Sequence, residues 1–173
     1  MYRDIIITGN VGEIGALKLA AENKDRMKER FPGHILKETG LCGGIYVTER
    51  DITDMCINSG CAAKNVLITE VGDRGLVAAL WTFGEKIRSG FSINAEKIPV
   101  SQLTVEICEM FGVDPFKTGS AGCFLICTDK GNELCEILRK NNVQAVVTGH
   151  SVPGKGKVMI MGDVTRYIDK PRG

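Results

Sequence analysis

The stretch Glu96-Lys-Ile-Pro-Val-Ser-Gln-Leu-Thr-Val-Glu-Ile-Cys-Glu-Met-Phe-Gly-Val-Asp-Pro-Phe116 contains a helix with both ends marked. Ser101 is a helix N-cap residue, with a side-chain oxygen able to accept from the free N–H groups of the first turn. Leu103, Ile107 and Met110 or Phe111 then recur on one face at the helical period. Gly112 closes the helix, because the left-handed conformation that ends many helices costs glycine nothing. Asp114-Pro115 opens a loop. Upstream, Phe91, Ile93 and Ala95 alternate with polar neighbours, which predicts a strand over 91–98.

The same reading extends in both directions. Asp4-Ile-Ile-Ile-Thr8 is a short β-branched run, a buried strand, closed by Gly9. Gly9-Asn-Val-Gly12-Glu-Ile-Gly15 turns the chain into a helix that reaches about residue 30 and ends at Pro32-Gly33. Residues 34–47, with Gly40, Gly43 and Gly44, carry no readable period. Thr48 followed by Asp51 predicts a capped helix start that carries Ile52, Met55 and Cys56 inward and stops at Ser59-Gly60. Val66-Leu67-Ile68 is a second buried strand, and Leu76 to Arg88 a helix with Trp81 in its apolar face. Cys123 to Thr128 is a strand, Asn132 to Lys140 a helix, and Val143 to Gly149 a strand. Residues 157–161 are expected to pair with that last strand as a hairpin across Val152-Pro-Gly-Lys-Gly, with the turn lysines exposed. Strands alternating with helices, some paired as hairpins, predict an α+β sandwich with a mixed sheet in one domain, 1–173.

The chain has 173 residues, 43% hydrophobic and 25% charged, an ordinary globular composition that is inconsistent with disorder or a fibre. A chain of this size buries roughly 70% of the surface its unfolded form exposes. No apolar run approaches the ~20 residues that cross a bilayer, and no signal peptide opens the chain. With 22 basic and 21 acidic side chains, net +1, there is no basic excess of the kind that nucleic-acid or anionic-membrane binding needs. An odd number of cysteines, seven, without an export signal points to a reducing cytoplasm rather than a disulfide scaffold.

Few motifs carry chemistry. There is no Cys-x-x-Cys pair. Cys123 and Cys127 face one side of a strand but stand ~13 Å apart at the strand rise, too far to share an ion. Cys108 and Cys135 lie on apolar helix faces, as small buried hydrophobes. Cys42 and Cys61, beside glycines, are expected to be the exposed thiols. Glu49, Asp51 and Asp54 read as a solvated first helical turn. The glycines at 9, 12 and 15 are spaced Gly-x-x-Gly-x-x-Gly, offset from the Gly-x-Gly-x-x-Gly of dinucleotide sites, so they read as a plain strand-to-helix turn. An NAD-binding enzyme would rest on those offset glycines alone. Pro153-Gly-Lys-Gly-Lys157 lacks the following helix and the Ser/Thr of a phosphate loop. His150, at a strand end, reads as a surface residue.

Residues Glu96 to Phe116 resemble the C-terminal domain of the aminoimidazole ribonucleotide (AIR) synthetase superfamily, of which PurM is a member. The likeness is greatest to its HypE hydrogenase-maturation branch and to AIR synthase-related proteins. Ile5-Ile-Ile-Thr-Gly, Val71 to Leu80, Gly119-Ser-Ala-Gly-Cys-Phe-Leu-Ile and Val146-Val-Thr-Gly-His-Ser-Val agree in the same order. The resemblance implies a three-layer α/β/α sandwich, partly ferredoxin-like, that closes over a small-molecule substrate. It implies ATP-dependent chemistry with ATP and magnesium: phosphoryl activation of an amide-type oxygen, or phosphoryl transfer in the selenophosphate and thiamine-phosphate branches. In such enzymes an N-terminal domain supplies most of the ATP and magnesium site and the main dimer interface. That domain is expected to lie outside these residues as the chain's partner, in the same gene or a separate one. No cofactor and no catalytic activity are then expected of this chain alone.

The likeness also has departures. Where the family has His-Asp-Val-Thr-Glu-Gly-Gly, this chain has Thr69-Glu70-Val71-Gly72-Asp73-Arg74-Gly75, and there is no terminal cysteine like that of the HypE branch. Two loops are candidates for substrate or phosphate binding. Gly72 to Gly75 precedes a helix whose free N–H groups and dipole favour an anion, and there Glu70 and Asp73 could meet magnesium or polar substrate and Arg74 a phosphate. Gly119, Ser120 and Gly122 could form a backbone nest. For both loops a capped helix start or a tight turn is the structural alternative. The functional alternative is a stand-alone, non-catalytic relative that binds a small phosphorylated ligand or a protein.

Overall fold

Ile5, Ile6 and Ile7 are completely buried and Thr8 nearly so, because the strand they form lies in the middle of the sheet. This strand, β1 (Asp4–Thr8), pairs antiparallel with a neighbour on each side. The computed structural model describes residues 2–33, 47–60 and 66–172, so the readings of 34–46, Cys42 and Cys61 lie outside the described residues.

The other strands are β2 (Leu67–Gly72), β3 (Gly90–Asn94), β4 (Ser120–Thr128), β5 (Ala145–Val152), β6 (Lys157–Met161) and β7 (Val164–Tyr167). The described helices are α1 (Glu13–Glu22), α2 (Lys24–Arg30), α3 (Glu49–Asn58), α4 (Gly75–Ile87), α5 (Gln102–Phe111) and α6 (Gly131–Lys140). The sheet order is β2-β4-β1-β5-β3-β6-β7. Every neighbouring pair is antiparallel except β3 and β6, so the sheet is mixed. β4, α6 and β5 form a split β-α-β unit with β1 inserted between the two strands, the connection found in ferredoxin-like folds.

Strand alternation sends side chains to both faces. Ile5, Ile7, Cys123, Leu125 and Cys127 meet Leu76, Leu80 and Phe83 of α4 on one face. Ile6, Phe124 and Ile126 meet Ile52 of α3 and Leu134 and Leu138 of α6 on the other. Each such side chain stabilises the fold by about 1.5–3 kcal/mol when fully buried, and an all-apolar strand is stable only where both faces are covered. The fold is therefore α+β, an α/β/α sandwich. Ala16, Ala20, Met27 and Ile107 form a separate cluster that joins α1, α2 and α5.

The capping readings hold. Thr48 and Asp51 form a reciprocal capping box, the Ser101 side chain accepts from Thr104 N–H, and Gly112 adopts the left-handed conformation. Other expectations are corrected. The strand predicted for 91–98 ends at Asn94, where the Asn94 side chain accepts from Glu96 N–H and starts a 3₁₀ turn. The helix predicted to reach residue 30 breaks at Asn23, whose side-chain amide donates to Leu19 O (2.9 Å). The expected hairpin between 143–149 and 157–161 does not form. β3 lies between the two strands and pairs antiparallel with β5 and parallel with β6, while β6 pairs instead with β7, a strand the sequence pattern does not announce.

Lys157 also departs from the expected exposed turn. Only 7% of its side chain is exposed, and its Nζ lies 2.7 Å from Glu85 Oε1 and 4.4 Å from the Trp81 ring centroid. Cation–π attraction and the ion pair together hold β6 against α4. Gly84 makes room, since a Cβ there would collide with the Lys157 arm. Trp81 is thus half-buried under a lysine rather than enclosed in core.

Two outcomes are expected. A Cβ on Gly149 would drive into the Ser92 carbonyl oxygen and lie 2.8 Å from Ile93 Cα. Gly149→Ala should therefore lower stability by about 1–3 kcal/mol, despite the usual entropic gain from removing a glycine. A urea midpoint unchanged or raised would refute the close β3–β5 approach. The hydrogen bond from Lys157, then its charge, lowers the Glu85 pKa from its ordinary 4.5. A lowered folded pKa contributes stability above the unfolded value that disappears as pH falls through the folded one. The stability difference between the native chain and Glu85→Gln should accordingly shrink below pH 4.5, measured by denaturant unfolding across that range.

Candidate functional site

Three glycine-bearing turns meet at one end of the sheet. The turn after β1 packs its glycines against the segment ahead of β4. Gly12 N–H donates to Ser120 Oγ (2.7 Å), and Gly15 N–H to Gly119 O (2.9 Å). A Cβ on Gly12 would lie 2.7 Å from Pro115 O, and one on Gly15 2.6 Å from Gly119 N. The offset glycine motif thus permits close backbone packing. The turn between β2 and α4 joins the same place. Gly72 pairs with Ser120 across a register shift, and a Cβ on Gly75 would lie 2.7 Å from Lys117 C.

The structure brings all the candidate residues into this one region but employs them differently. Glu70 is exposed, and its carboxylate accepts from Gly122 N–H (3.1 Å). Asp73 faces Lys18 at 3.7 Å across solvent, a pair worth little in stability. Gly72, Gly75 and Gly122 sit at φ 73°, 81° and 81°, a region side-chain-bearing residues avoid. Gly119 packs against the Asp73 carbonyl. Ser120 is completely buried, and its hydroxyl both accepts from Gly12 and donates to Thr118 O (3.1 Å). Gly119 to Gly122 are thus not all loop, since β4 begins at Ser120.

Arg74, the N-cap of α4, borders a groove of about 880 Å³, in the size range of small-molecule sites, roughly 300–1,000 Å³. It is lined by the start of α4, by Asp114 to Lys117, by β6 and β7 and by residues 168–172. Val77, Val100, Phe116, Met159 and Ile168 supply apolar lining. Sequence reading found Arg74 and missed Lys117, Arg166, Lys170 and Arg172, which also line the groove. The findable signal was local: the segment 166–172 holds three basic residues and one acidic.

Among the described residues the thiols of Cys56, Cys108, Cys123, Cys127 and Cys135 are buried. Burial, then the charges of Glu13 and Glu70, pushes the Cys123 thiol up to about 12, and its Sγ–H donates to Asn10 O (3.3 Å). Such a thiol stays protonated and is a poor nucleophile. Burial also raises the pKa of Glu13 above the ordinary carboxylate value. Among the described residues no group of three or more His, Cys, Asp or Glu side chains converges as a metal site, and no helix is long and apolar enough to cross a membrane.

No family model matches the chain. HypE from a HypE–HypF complex superposes with a TM-score of 0.73 at 16% identity, covering 98% of this chain and 53% of that one. Escherichia coli HypE gives 0.72 at 17% identity, covering 98% and 50%. Thiamine monophosphate kinase from Aquifex aeolicus gives 0.61 at 15% identity, covering 92% and 51%. The fold is that of the AIR synthetase-like proteins. A protein of Methanocaldococcus jannaschii, provisionally named for hydrogenase expression and formation, is 28% identical over 175 residues, 98% of this chain and 48% of its own length. The chain thus spans about half the length of the relatives it matches. One HypE neighbour was solved with ATP, and an Aquifex kinase neighbour with AMPPCP and TMP.

Removing the buried Ser120 hydroxyl would leave Gly12 N–H without its acceptor where the glycine turns meet. Ser120→Ala is expected to cost about 1–3 kcal/mol, the desolvation penalty of an unmade buried hydrogen bond. Denaturant unfolding checks this, and a loss well below that range would mean that the turns hold together without the hydroxyl.

Proposed function

We propose that this chain is the substrate-side half of an AIR synthetase-like, ATP-dependent enzyme, equivalent to the family's C-terminal domain and inactive alone. The observation that carries this reading is the length relation: nearly the whole chain matches about half of the M. jannaschii relative and about half of HypE. That relative favours hydrogenase maturation over purine biosynthesis. The reaction class is phosphoryl activation of an amide-type oxygen or phosphoryl transfer, in keeping with the ATP-bearing neighbours. The cytoplasm suits a chain whose described thiols are buried.

In this reading Arg74, beside the start of α4, meets the phosphate side of the substrate, and the glycine turns at 72–75 and 118–122 shape the cleft wall. Among the described residues no carboxylates converge as a magnesium site. Glu70 is engaged by Gly122 N–H, and Asp73 faces Lys18. Magnesium, triphosphate and dimerisation therefore fall to the N-terminal half. The same engagement of Glu70, with Arg74 in place of a family glycine, favours a second reading: a non-catalytic relative that binds a small phosphorylated ligand or a protein.

The two readings separate in one experiment. The chain alone should neither bind Mg-ATP at micromolar concentration by calorimetry nor hydrolyse it. Mixed with the N-terminal half of the M. jannaschii relative, it should restore ATP turnover above that of either half. Tight Mg-ATP binding by the chain alone would overturn the division of labour, and absence of turnover in the mixture would favour the non-catalytic reading.

A further inference from the structure

The strand β7 closes the sheet at one edge, and the bonding on its inner side fixes what its outer side offers. Ile168 N–H donates to Lys157 O (2.9 Å), continuing the register in which Tyr167 faces Val158, Arg166 faces Met159 and Thr165 faces Ile160. In an antiparallel ladder, residues whose backbone groups point to the neighbour alternate with residues whose groups point away. Like Ile168, Arg166 and Val164 therefore direct their backbone groups to β6, and those of Thr165 and Tyr167 point out of the sheet. The hairpin is also apolar for an edge. Of the six large hydrophobic side chains exposed among the described residues, Met161, Val164 and Tyr167 belong to it, and Tyr167 is the most exposed at 74%. The other edge strand, β2, offers no comparable row, because its register shifts between Glu70 and Gly72 and such a bulge interrupts pairing.

An edge with outward donors and acceptors at alternate residues is completed by a strand of the same spacing, and β7 matches itself. Residues directly opposite each other share a face of the sheet, so a twofold axis must set one residue of β7 against its own counterpart. The two registers with the longest overlap are centred on Arg166 and on Thr165. Centred on Arg166, two guanidinium groups stand directly opposite, which is destabilising. Centred on Thr165, the outward N–H and C=O groups of the two threonines exchange hydrogen bonds, and Val164 lies opposite Arg166. The exposed acidic turn residue Asp163 of each copy then meets the basic end of the other strand. That end is basic because Arg166, Lys170 and Arg172 gather at the groove, whose lining holds Arg74, Lys117, Arg166, Lys170 and Arg172 against Asp114 and Asp169. We propose that β7 is an interface between two copies of this chain, paired antiparallel about Thr165 into one continuous sheet, with charge selecting the register. Val164 of the second copy extends the apolar floor of each groove beside Arg166. This contact is additional to the dimerisation assigned above to the N-terminal half. It is tested on this chain alone, and its failure leaves that reading standing.

Sedimentation velocity of the full chain between about 5 and 500 μM, which brackets the weak affinities of small interfaces, should show a reversible monomer–dimer equilibrium. Backbone amide NMR signals of Thr165 and Tyr167 should shift with concentration and exchange more slowly with solvent in the dimer. Thr165→Pro removes an N–H that the β6 ladder does not use, at a position where an edge strand tolerates proline. It should keep the native circular dichroism and weaken association by at least about tenfold, the loss of two symmetric hydrogen bonds. Asp163→Lys should weaken it by about fivefold, since two opposite-charge contacts become like-charge ones. A chain that stays monomeric at the highest concentration would overturn the proposal. So would a dimer that a correctly folded Thr165→Pro leaves intact, which places the contact elsewhere, or species that grow past the dimer, which pair β7 with a different surface. If Thr165→Pro does not fold, unchanged association in Asp163→Lys together with amide shifts centred away from Thr165 overturns it instead.

Discussion

The structure depends on β1 being inserted between β4 and β5. Its Asp4–Thr8 backbone pairs on both edges, and its isoleucines supply apolar surface to both faces of the sheet at once. The ends of the strand are held as well. Thr8 Oγ1 accepts from Phe124 N–H (3.0 Å), and Asp4 accepts from Gly131 N–H at the start of α6 (3.2 Å). A strand from the beginning of the chain is thus fastened to segments more than a hundred residues later. Such non-local pairing must pay its loop-closure entropy before it is rewarded. The two hydrophobic layers, and the split β-α-β unit around the strand, exist only once it is in place.

That insertion also sets the site. Because β1 lies beside β4, the turn that follows it emerges next to the segment leading into β4, and two backbones must pass each other closely. Glycines at 12, 15 and 75 allow the approach, and the Ser120 hydroxyl satisfies the Gly12 N–H that would otherwise be buried without a partner. Glycine-rich turns that look like ligand loops in one dimension are here largely joinery. What they leave open to solvent is the start of α4 and the groove beside it.

The groove depends in turn on the outer strands. Lys157 packs over Trp81 and beside Glu85, and this ties β6 to α4, while β7 and the segment after it also line the groove. A lysine that reads as an exposed turn residue is buried because Gly84 leaves it a channel and Glu85 supplies its counter-charge. Near-neutral net charge counts side chains without regard to place, so the positive excess of the groove does not appear in the total.

Much of the architecture was legible in the sequence because its signals are local. The isoleucine run at 5–7, the caps at Thr48, Ser101 and Gly112, and the helical period of Leu103 and Ile107 each act within a turn or a strand, and they announced the elements and the α+β class. The ordered motifs indicated an AIR synthetase-like fold, and with it Arg74 as a residue at the edge of a cleft. Strand order was not legible. Residues 145–152 and 157–161 are sequence neighbours with a turn between them, yet β3 separates them, because both edges of β3 find partners that way. Nor was the burial of Lys157 or the gathering of Arg74, Lys117, Arg166 and Arg172 around one groove. Periodicity reports which face of an element is apolar, whereas which elements meet is decided by pairing and packing between residues distant along the chain. The sequence alone therefore determined the elements and the α+β class, and the tertiary structure alone decided where the charges meet.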